Sequence, residues 1–371
     1  MKKPSYNLQA MKTSKSLISI FLIAIVFAGC TSEPKQQADA FMYGGDFSIL
    51  KKMEDLGGVY KYNGKPVDAL ALFRQNGYNY GRVRIFHTPN MEGPVCNSQD
   101  YTIALSKKIK ASGMKLLLDF HYSDTWADPQ KQYKPKAWKE LPFNILTDSV
   151  YTYSKKVILA MKEAGVMPDM VQPGNEITYG MIWPDGKIYK DSAEDWDSFC
   201  TLLAAGISGI KDASGDTKIP IMIHIDRGGD QAETKYFFDN LKAHGIEFDL
   251  IGLSYYPWWH GTFQDLEENL TWLSNNDEHD IVIVETAYYA NGHYPESQEW
   301  VMDVQPFPPT EQGQYDFLVT LDSIAHLYPK VKGIFYWKPD GLYIPDSKVW
   351  FIGRSLFDKD GNALKGITAF K

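Results

Sequence analysis

Asp280-Ile-Val-Ile-Val-Glu285 places four consecutive β-branched residues between two carboxylates. A short, wholly apolar run reads as a strand buried on both faces, the signature of a parallel sheet rather than of a half-exposed hairpin. Lys115-Leu-Leu-Leu-Asp119 repeats the pattern earlier in the chain. Working outward from these two, similar runs appear at Phe41–Asp46, Tyr80–Phe86, Met170–Gly174, Ile219–Ile225, Asp249–Tyr255 and Gly333–Trp337, which makes eight. Amphipathic helical stretches separate them: Ile103–Ser112, Ser149–Ala164, Trp196–Asp212, Glu233–His244, Phe263–Asn275 and Gln312–His326. Strands alternating with helices predict βαβ units. Eight of them at an average spacing of about 40 residues predict an α/β fold, a single (β/α)8 TIM barrel. The competing open doubly wound sheet usually carries a glycine-rich phosphate loop, and no G-x-G-x-x-G or Walker sequence is present.

The first 30 residues read differently from the rest. Lys12 and Lys15 precede an apolar run, Leu17–Ala28, that ends in Ala28-Gly29-Cys30. The run is shorter than the roughly 20 residues a membrane span needs and has the layout of a secretory signal. Cys directly after Ala-Gly resembles a bacterial lipobox, which makes Cys30 the expected lipidation site and residues 31–40 a polar tether. That predicts a secreted lipoprotein of the cell envelope, held by an outer-membrane lipid anchor, with 41–371 as the catalytic domain. Cleavage near the same place without lipidation is the alternative.

The 371 residues carry a net charge of −8, and the signal segment removes only lysines among its charges. An acidic protein is a poor partner for nucleic acid or anionic surfaces, so a neutral substrate is expected. Three cysteines, one of them Cys30, leave no disulfide framework and no cysteine metal site; whether Cys96 and Cys200 pair is left open. Ten Trp and 23 Tyr serve either as core packing or as flat faces against sugar rings. A monomer is the default expectation.

Barrel enzymes place their working groups at the C-terminal ends of the strands. Here those ends are polar: Arg82, Arg84 and His87; Asp119, His121, Asp124 and Trp126; Asn175 and Glu176; His224, Asp226 and Arg227; Ser254 through His260; Glu285; Tyr336, Trp337 and Lys338. Asp119 also reads as a structural partner and His121 as a satisfied core histidine. Strands four and seven face one another across the mouth, so Glu176 and Glu285 can flank a sugar chain. Glycosidic cleavage commonly needs such a pair, one acid and one carboxylate. Arg84 and either Tyr255 or Tyr256 are expected to keep Glu285 ionised, since a cation and donors favour the charged form. Asn175 is expected to bond a sugar hydroxyl.

The flanking strings sharpen this. Tyr43-Gly-Gly-Asp-Phe-Ser48, Arg82-Val-Arg-Ile-Phe86, Asp119-Phe-His-Tyr-Ser-Asp-Thr-Trp126, Val171-Gln-Pro-Gly-Asn-Glu-Ile177, Gly180-Met-Ile-Trp-Pro184, Ser254-Tyr-Tyr-Pro-Trp-Trp-His-Gly261, Val284-Glu-Thr286 and Gly333-Ile-Phe-Tyr-Trp337 resemble glycoside hydrolase family 53, the arabinogalactan endo-β-1,4-galactanases of clan A. The resemblance spans nearly all of the chain after the tether. It implies an endo-acting, retaining enzyme on the β-1,4-galactan of plant pectin, with Glu176 as acid/base and Glu285 as nucleophile. Arg84, His121, Asp124, Asn175, His224, Tyr255, Tyr256 and His260 would support them, and Trp126, Trp183, Trp259 and Trp337 would stack on galactose. Other clan A activities, such as a β-mannanase or exo-β-galactosidase, and a non-catalytic galactan-binding lipoprotein are the alternatives. Two departures stand out. Lys338 replaces the family's glutamate after the eighth strand, and the loop after Glu285 is short where bacterial relatives often bind calcium. Asn291, His293 and Asp340 are weak calcium candidates, far from the about six to eight oxygens a cage requires, so no cofactor is expected.

Overall fold

A computed structural model of the chain describes Met1 and residues 40–371, except 192, 291–303 and 350–351. The signal segment, Cys30, Asn291 and His293 lie outside the described residues. Residues Ala40–Lys371 form one compact unit. Its principal strands are β1 (Met42–Asp46), β2 (Tyr80–Ile85), β3 (Lys115–Phe120), β4 (Met170–Pro173), β5 (Met222–Ile225), β6 (Leu250–Ser254), β7 (Asp280–Thr286) and β8 (Val331–Trp337). They pair in parallel in the order β5-β6-β7-β8-β1-β2-β3-β4. A bridge between Val171 and Ile221, with the Val171 amide donating to the Pro220 carbonyl at 3.0 Å, joins β4 to β5 and closes the barrel.

The helices are α1 (Leu50–Asp55), α2 (Ala69–Gln75), α3 (Gln99–Ala111), α4 (Phe143–Glu163), α5 (Trp196–Ser214), α6 (Gln231–Ala243), α7 (Pro257–His260), α8 (Phe263–Asn276) and α9 (Glu311–Leu327). Their starts are set by side chains that satisfy otherwise unpaired amides. Ser98 accepts from Tyr101 before α3, and Asp195 from Ser198 before α5. Thr262 and Asp265 form a reciprocal capping box on α8. The six helices expected from the sequence are present; α3 and α4 begin earlier, at Gln99 and Phe143, and the short α1, α2 and α7 are additional.

Each strand is buried on both faces because it separates two cores. Val83, Leu116, Leu118, Val171, Ile223, Ile251, Ile281 and Ile334 turn outward to the helices. Inside the barrel, Met42, Tyr80, Leu117, Met170, Met222, Leu250, Val282, Val284 and Phe335 pack as a separate apolar plug. Burying one such side chain contributes about 1.5–3 kcal/mol. Gly44 is required here, because a Cβ would lie 2.1 Å from the Phe335 ring.

Candidate active site

Side chains alternate along a strand, so the residue two positions beyond an inward one also points inward, one step nearer the mouth. Beyond Tyr80, Leu117, Met170 and Met222 come Arg82, Asp119, Gln172 and His224. Above the apolar plug therefore lies a polar tier, and its members bond to one another. Arg82 is 1% exposed; its Nη1 donates to Asp46 at 2.9 Å and to Glu285 at 2.7 Å. Its Nη2 donates to Asp119 at 2.9 Å and to Asn175 at 2.8 Å. One guanidinium thus compensates three buried carboxylates, a strong arrangement because charge-assisted bonds in a dry interior are little screened.

Glu285 would point outward if β7 alternated regularly, because Val282 and Val284 point inward. The ladder shifts there: Leu253 pairs with Ile283 but Ser254 with Glu285, so Val284 is an extra residue and a β-bulge re-aims Glu285 into the mouth. Its other oxygen accepts from the Tyr256 hydroxyl at 3.3 Å. Glu176 sits at a backbone φ of +47°, directly after Gly174 at +112° and Asn175. A Cβ on Gly174 would meet Ile177 at 2.6 Å, so the turn that presents Glu176 depends on glycine. Left-handed geometry at a non-glycine residue costs about 1–3 kcal/mol and is typical of functional positions.

Oxygens of Glu176 and Glu285 and a nitrogen of His224 lie within 4.8 Å of one another. Burial, with Glu285 opposite, pushes the Glu176 carboxyl well above the usual carboxylate range. Burial raises Glu285 too, to about 7, but Arg82 opposes the rise, so Glu285 is the one to give up its proton first. Behind Glu176 runs a relay. Ser254 donates to it at 2.6 Å, and His224 Nε2 stands 2.8 Å from the Ser254 hydroxyl. His224 Nδ1 accepts from Gln172 at 2.9 Å, and Gln172 also donates to Asp119 at 2.8 Å. Burial and Arg82 hold the His224 imidazole well below its ordinary value, hence neutral. Burial would raise Asp119, but Arg82 and His121 outweigh it and hold the carboxylate low.

Several expected residues are placed differently. Arg82, not Arg84, holds Glu285: both face inward, but Arg82 is in register with Asp46, one step deeper. Arg84 stacks on Trp126 at 4.0 Å and reaches Asp46 at 3.5 Å. Of the two tyrosines, it is Tyr256 whose hydroxyl meets the Glu285 carboxylate, while Tyr255 reaches Glu285 through its backbone amide alone. Tyr255 lies in the outer core near Phe263 and Phe317 and donates to the Gly261 carbonyl. Asp124 accepts from the amides of Thr88 and Lys136, tying two loops together. Asn175 gives its oxygen to Arg82 and one N–H to the Ala127 carbonyl at 2.9 Å, leaving one N–H for a further partner. His121 accepts from the Ala127 amide and lies 3.1 Å from Asp119, behind the mouth.

His260 accepts from the Tyr256 amide; burial, helped by Arg227, lowers its value to about 3. Trp126 and Trp337 meet edge to face at 6.0 Å, Trp259 is 46% exposed, and Trp183 is half-buried beneath Lys187 at 4.9 Å. Burial and Arg84 bring the Lys338 ammonium down to about 7, and the buried Asp340 carboxyl beside it is raised by burial and Asp46. Cys96 and Cys200 are buried and free. Sequence reading had missed Gln172, whose signal was a lone amide inside an apolar strand, and Arg354, which carried none.

A partly buried Glu176 whose carboxyl is raised and a buried Glu285 paired with an arginine, across the mouth of a (β/α)8 barrel, define the two-carboxylate class of glycoside hydrolases. The description "Glycosyl hydrolase family 53" fits residues 42–370, and the chain belongs to that family. It is 40% identical over 351 residues to a Niallia circulans protein described only as an uncharacterized protein in the bgaB 5′ region, covering 90% of this chain and 94% of that one. It is 35% identical over 303 residues to arabinogalactan endo-β-1,4-galactanase A of Aspergillus niger, covering 80% and 84%. The solved GH53 catalytic domain of Ignisphaera aggregans superposes with a TM-score of 0.83 at 33% identity, covering 89% and 95%.

Proposed function

We propose that this chain is an endo-acting β-1,4-galactanase working with retention of configuration on the galactan of type I arabinogalactan. Glu176 is the acid/base and Glu285 the nucleophile. The observation that carries the reading is the pair itself: oxygens within 4.8 Å, both raised by burial, with Arg82 opposing the rise at Glu285. Retaining enzymes keep their carboxyls about 5–5.5 Å apart, whereas inverting ones need about 6.5–9.5 Å to admit a water. In the first step Glu285 attacks the anomeric carbon while Glu176 protonates the departing oxygen. In the second, Glu176 takes a proton from water, which displaces Glu285. Arg82 and Tyr256 stabilise the Glu285 carboxylate. The galactan assignment is supported by the family and by the names its relatives carry.

Glu176, His224 and Glu285 are close enough to suggest a metal, but their bonding suits none. Both His224 nitrogens are engaged, by Gln172 and Ser254, and Arg82 occupies a Glu285 oxygen. The chemistry proposed needs no metal. Of the calcium candidates, only Asp340 lies among the described residues; burial and the Asp46 carboxylate raise it, and Lys338 and Arg84 offset them in part. We retain Cys30 as the proposed lipid anchor at the cell envelope on the sequence alone.

The test is incubation of the protein from Thr31 onward with unbranched β-1,4-galactan, β-mannan and xylan, followed by product sizing. Short galacto-oligosaccharides from galactan alone support the assignment. Mannan cleavage, galactose as the only early product, or galactan binding without cleavage would each replace it with one of the alternatives. Proton NMR of the first-released anomer tests retention; an α product sinks it.

A further inference from the structure

Arg354 ends a short 3-10 turn, Ile352–Arg354, in the segment after β8. It is 1% exposed, yet among the described residues five aromatic rings stand around its guanidinium. The carbon at its centre lies 5.0 Å from the Trp258 ring, 5.1 Å from Tyr289, 5.2 Å from Trp259, and 5.5 Å from both Tyr256 and Trp337. Its Nη2 bonds the Tyr289 hydroxyl at 3.0 Å. Its own backbone is fixed, because the Arg354 carbonyl accepts from the Tyr336 hydroxyl at 2.6 Å and from Gln314 at 3.3 Å. One rigid cation thus touches the loops after β6, β7 and β8 together.

Burying a guanidinium is expensive unless its surroundings replace water, and the negative faces of aromatic rings do so. A flat guanidinium also stacks, which an ammonium does not. The rings in turn acquire a fixed partner. Tyr256 is the ring whose hydroxyl meets Glu285, Trp337 packs on Trp126, and Trp259 turns a nearly half-exposed face to solvent. Among the described residues, the ring neighbours of the Trp259 indole on the four-residue α7 are Tyr256, Trp258 and His260.

We infer that Arg354 is a positioning residue that sets the aromatic wall of the cleft, Trp259 above all, as a stacking platform for neutral hexose units away from the bond being cut. It acts through those rings and governs grip on the chain rather than the bond cleavage itself. The inference rests on the galactanase reading. A residue that fixes a remote binding surface affects ground state and transition state alike, so its loss appears in KM and spares kcat.

The experiment compares the full chain with its Arg354→Met variant on β-1,4-galactotriose and galactohexaose. The expected result is a KM about tenfold higher on the hexaose, a smaller rise on the triose, and kcat within about twofold on both. An unchanged KM in a folded variant, or an equal fall in kcat on both lengths, overturns the inference. Should Arg354→Met fail to fold, Trp259→Ala at the exposed ring must give the same length-dependent rise, and a wild-type KM there overturns it. Wild-type inactivity on galactan would instead count against the galactanase reading. Fluorine NMR of 5-fluorotryptophan protein decides the positioning claim without substrate: the Trp259 resonance, assigned by Trp259→Phe, must shift or broaden in Arg354→Met, and an unmoved line refutes it.

Discussion

The lower half of the barrel interior is built by all eight strands, and its upper half by seven of the same strands a step or two nearer the mouth. Below, Met42, Tyr80, Leu117, Met170, Met222, Leu250, Val282, Val284 and Phe335 fill space. Above, Asp46, Arg82, Asp119, Gln172, His224, Ser254 and Glu285 make bonds of defined direction. The lower tier is held by burial and dispersion, which are non-directional and tolerate volume-conserving exchange. The upper tier is held by charge-assisted bonds, where removing one partner strands the others. The difference separates fold from function: the plug fixes the strands, and the strands then fix the positions of charges that water would otherwise screen.

The largest effect should come from the upper tier's rim. Glu285→Ala should lower kcat by on the order of 10⁶-fold, as in other enzymes stripped of a nucleophile, while oligosaccharide binding persists. Calorimetric titration with galactohexaose checks the second half, and near-normal turnover would end the nucleophile assignment. Arg82→Met is next. Asp46, Asp119 and Glu285 would lose the cation they share, although Arg84 still reaches Asp46 at 3.5 Å, at a cost of about 3–5 kcal/mol in unfolding free energy. Glu285 would also be raised further, since Arg82 is what opposes its rise, so the acid limb of the pH–rate profile should move to higher pH. A variant with unchanged denaturation midpoint and acid limb would show that Arg82 does not join the two roles.

Leu117→Ala breaks the lower tier instead. It should cost about 2–5 kcal/mol by urea denaturation, the range for buried leucine truncations, and leave kcat of the folded protein and both pH limbs in place. Leu117 and Asp119 are two residues apart on β3, so this pair of tiers gives a sharp control. A shifted pH limb in Leu117→Ala would mean that plug and site are mechanically one.

The legible part of this architecture was its periodicity. Apolar runs such as Asp280–Glu285 announced buried parallel strands, and their polar ends announced a mouth with Glu176 and Glu285 on opposite sides. Depth was not legible. Arg82 and Arg84 have the same parity, and only the register with Asp46 decides which reaches Glu285. Parity itself misleads at Val284, where a bulge in an all-β-branched run leaves no trace in composition. Tyr255 and Tyr256 differ only by the turn that opens α7, which sends one to the core and the other to the carboxylate. Arg354 gave no signal because its aromatic partners are scattered from Tyr256 to Trp337 and meet only once three loops have folded together.

The smallest predicted change tests the finest detail of the upper tier, the bond from Ser254 to Glu176. Donation by a hydroxyl favours the ionised carboxylate, so in the wild type Ser254 holds Glu176 lower than burial and Glu285 alone would leave it. Removing the donor in Ser254→Ala should therefore raise Glu176 further. A bond to a charged group is stronger than one between neutral partners, so an upward move visible in the pH–rate profile is expected. Glu176 must be protonated for the first step, which assigns it the alkaline limb of kcat; that limb should extend to higher pH. The acid limb belongs to Glu285, whose partners Arg82 and Tyr256 are untouched, and should stay where it was. A stationary alkaline limb would mean that His224 and Ser254 merely pack behind the acid. A limb displaced to lower pH would mean that Ser254 bonds the protonated form instead, reversing the direction of the relay from Gln172 to Glu176.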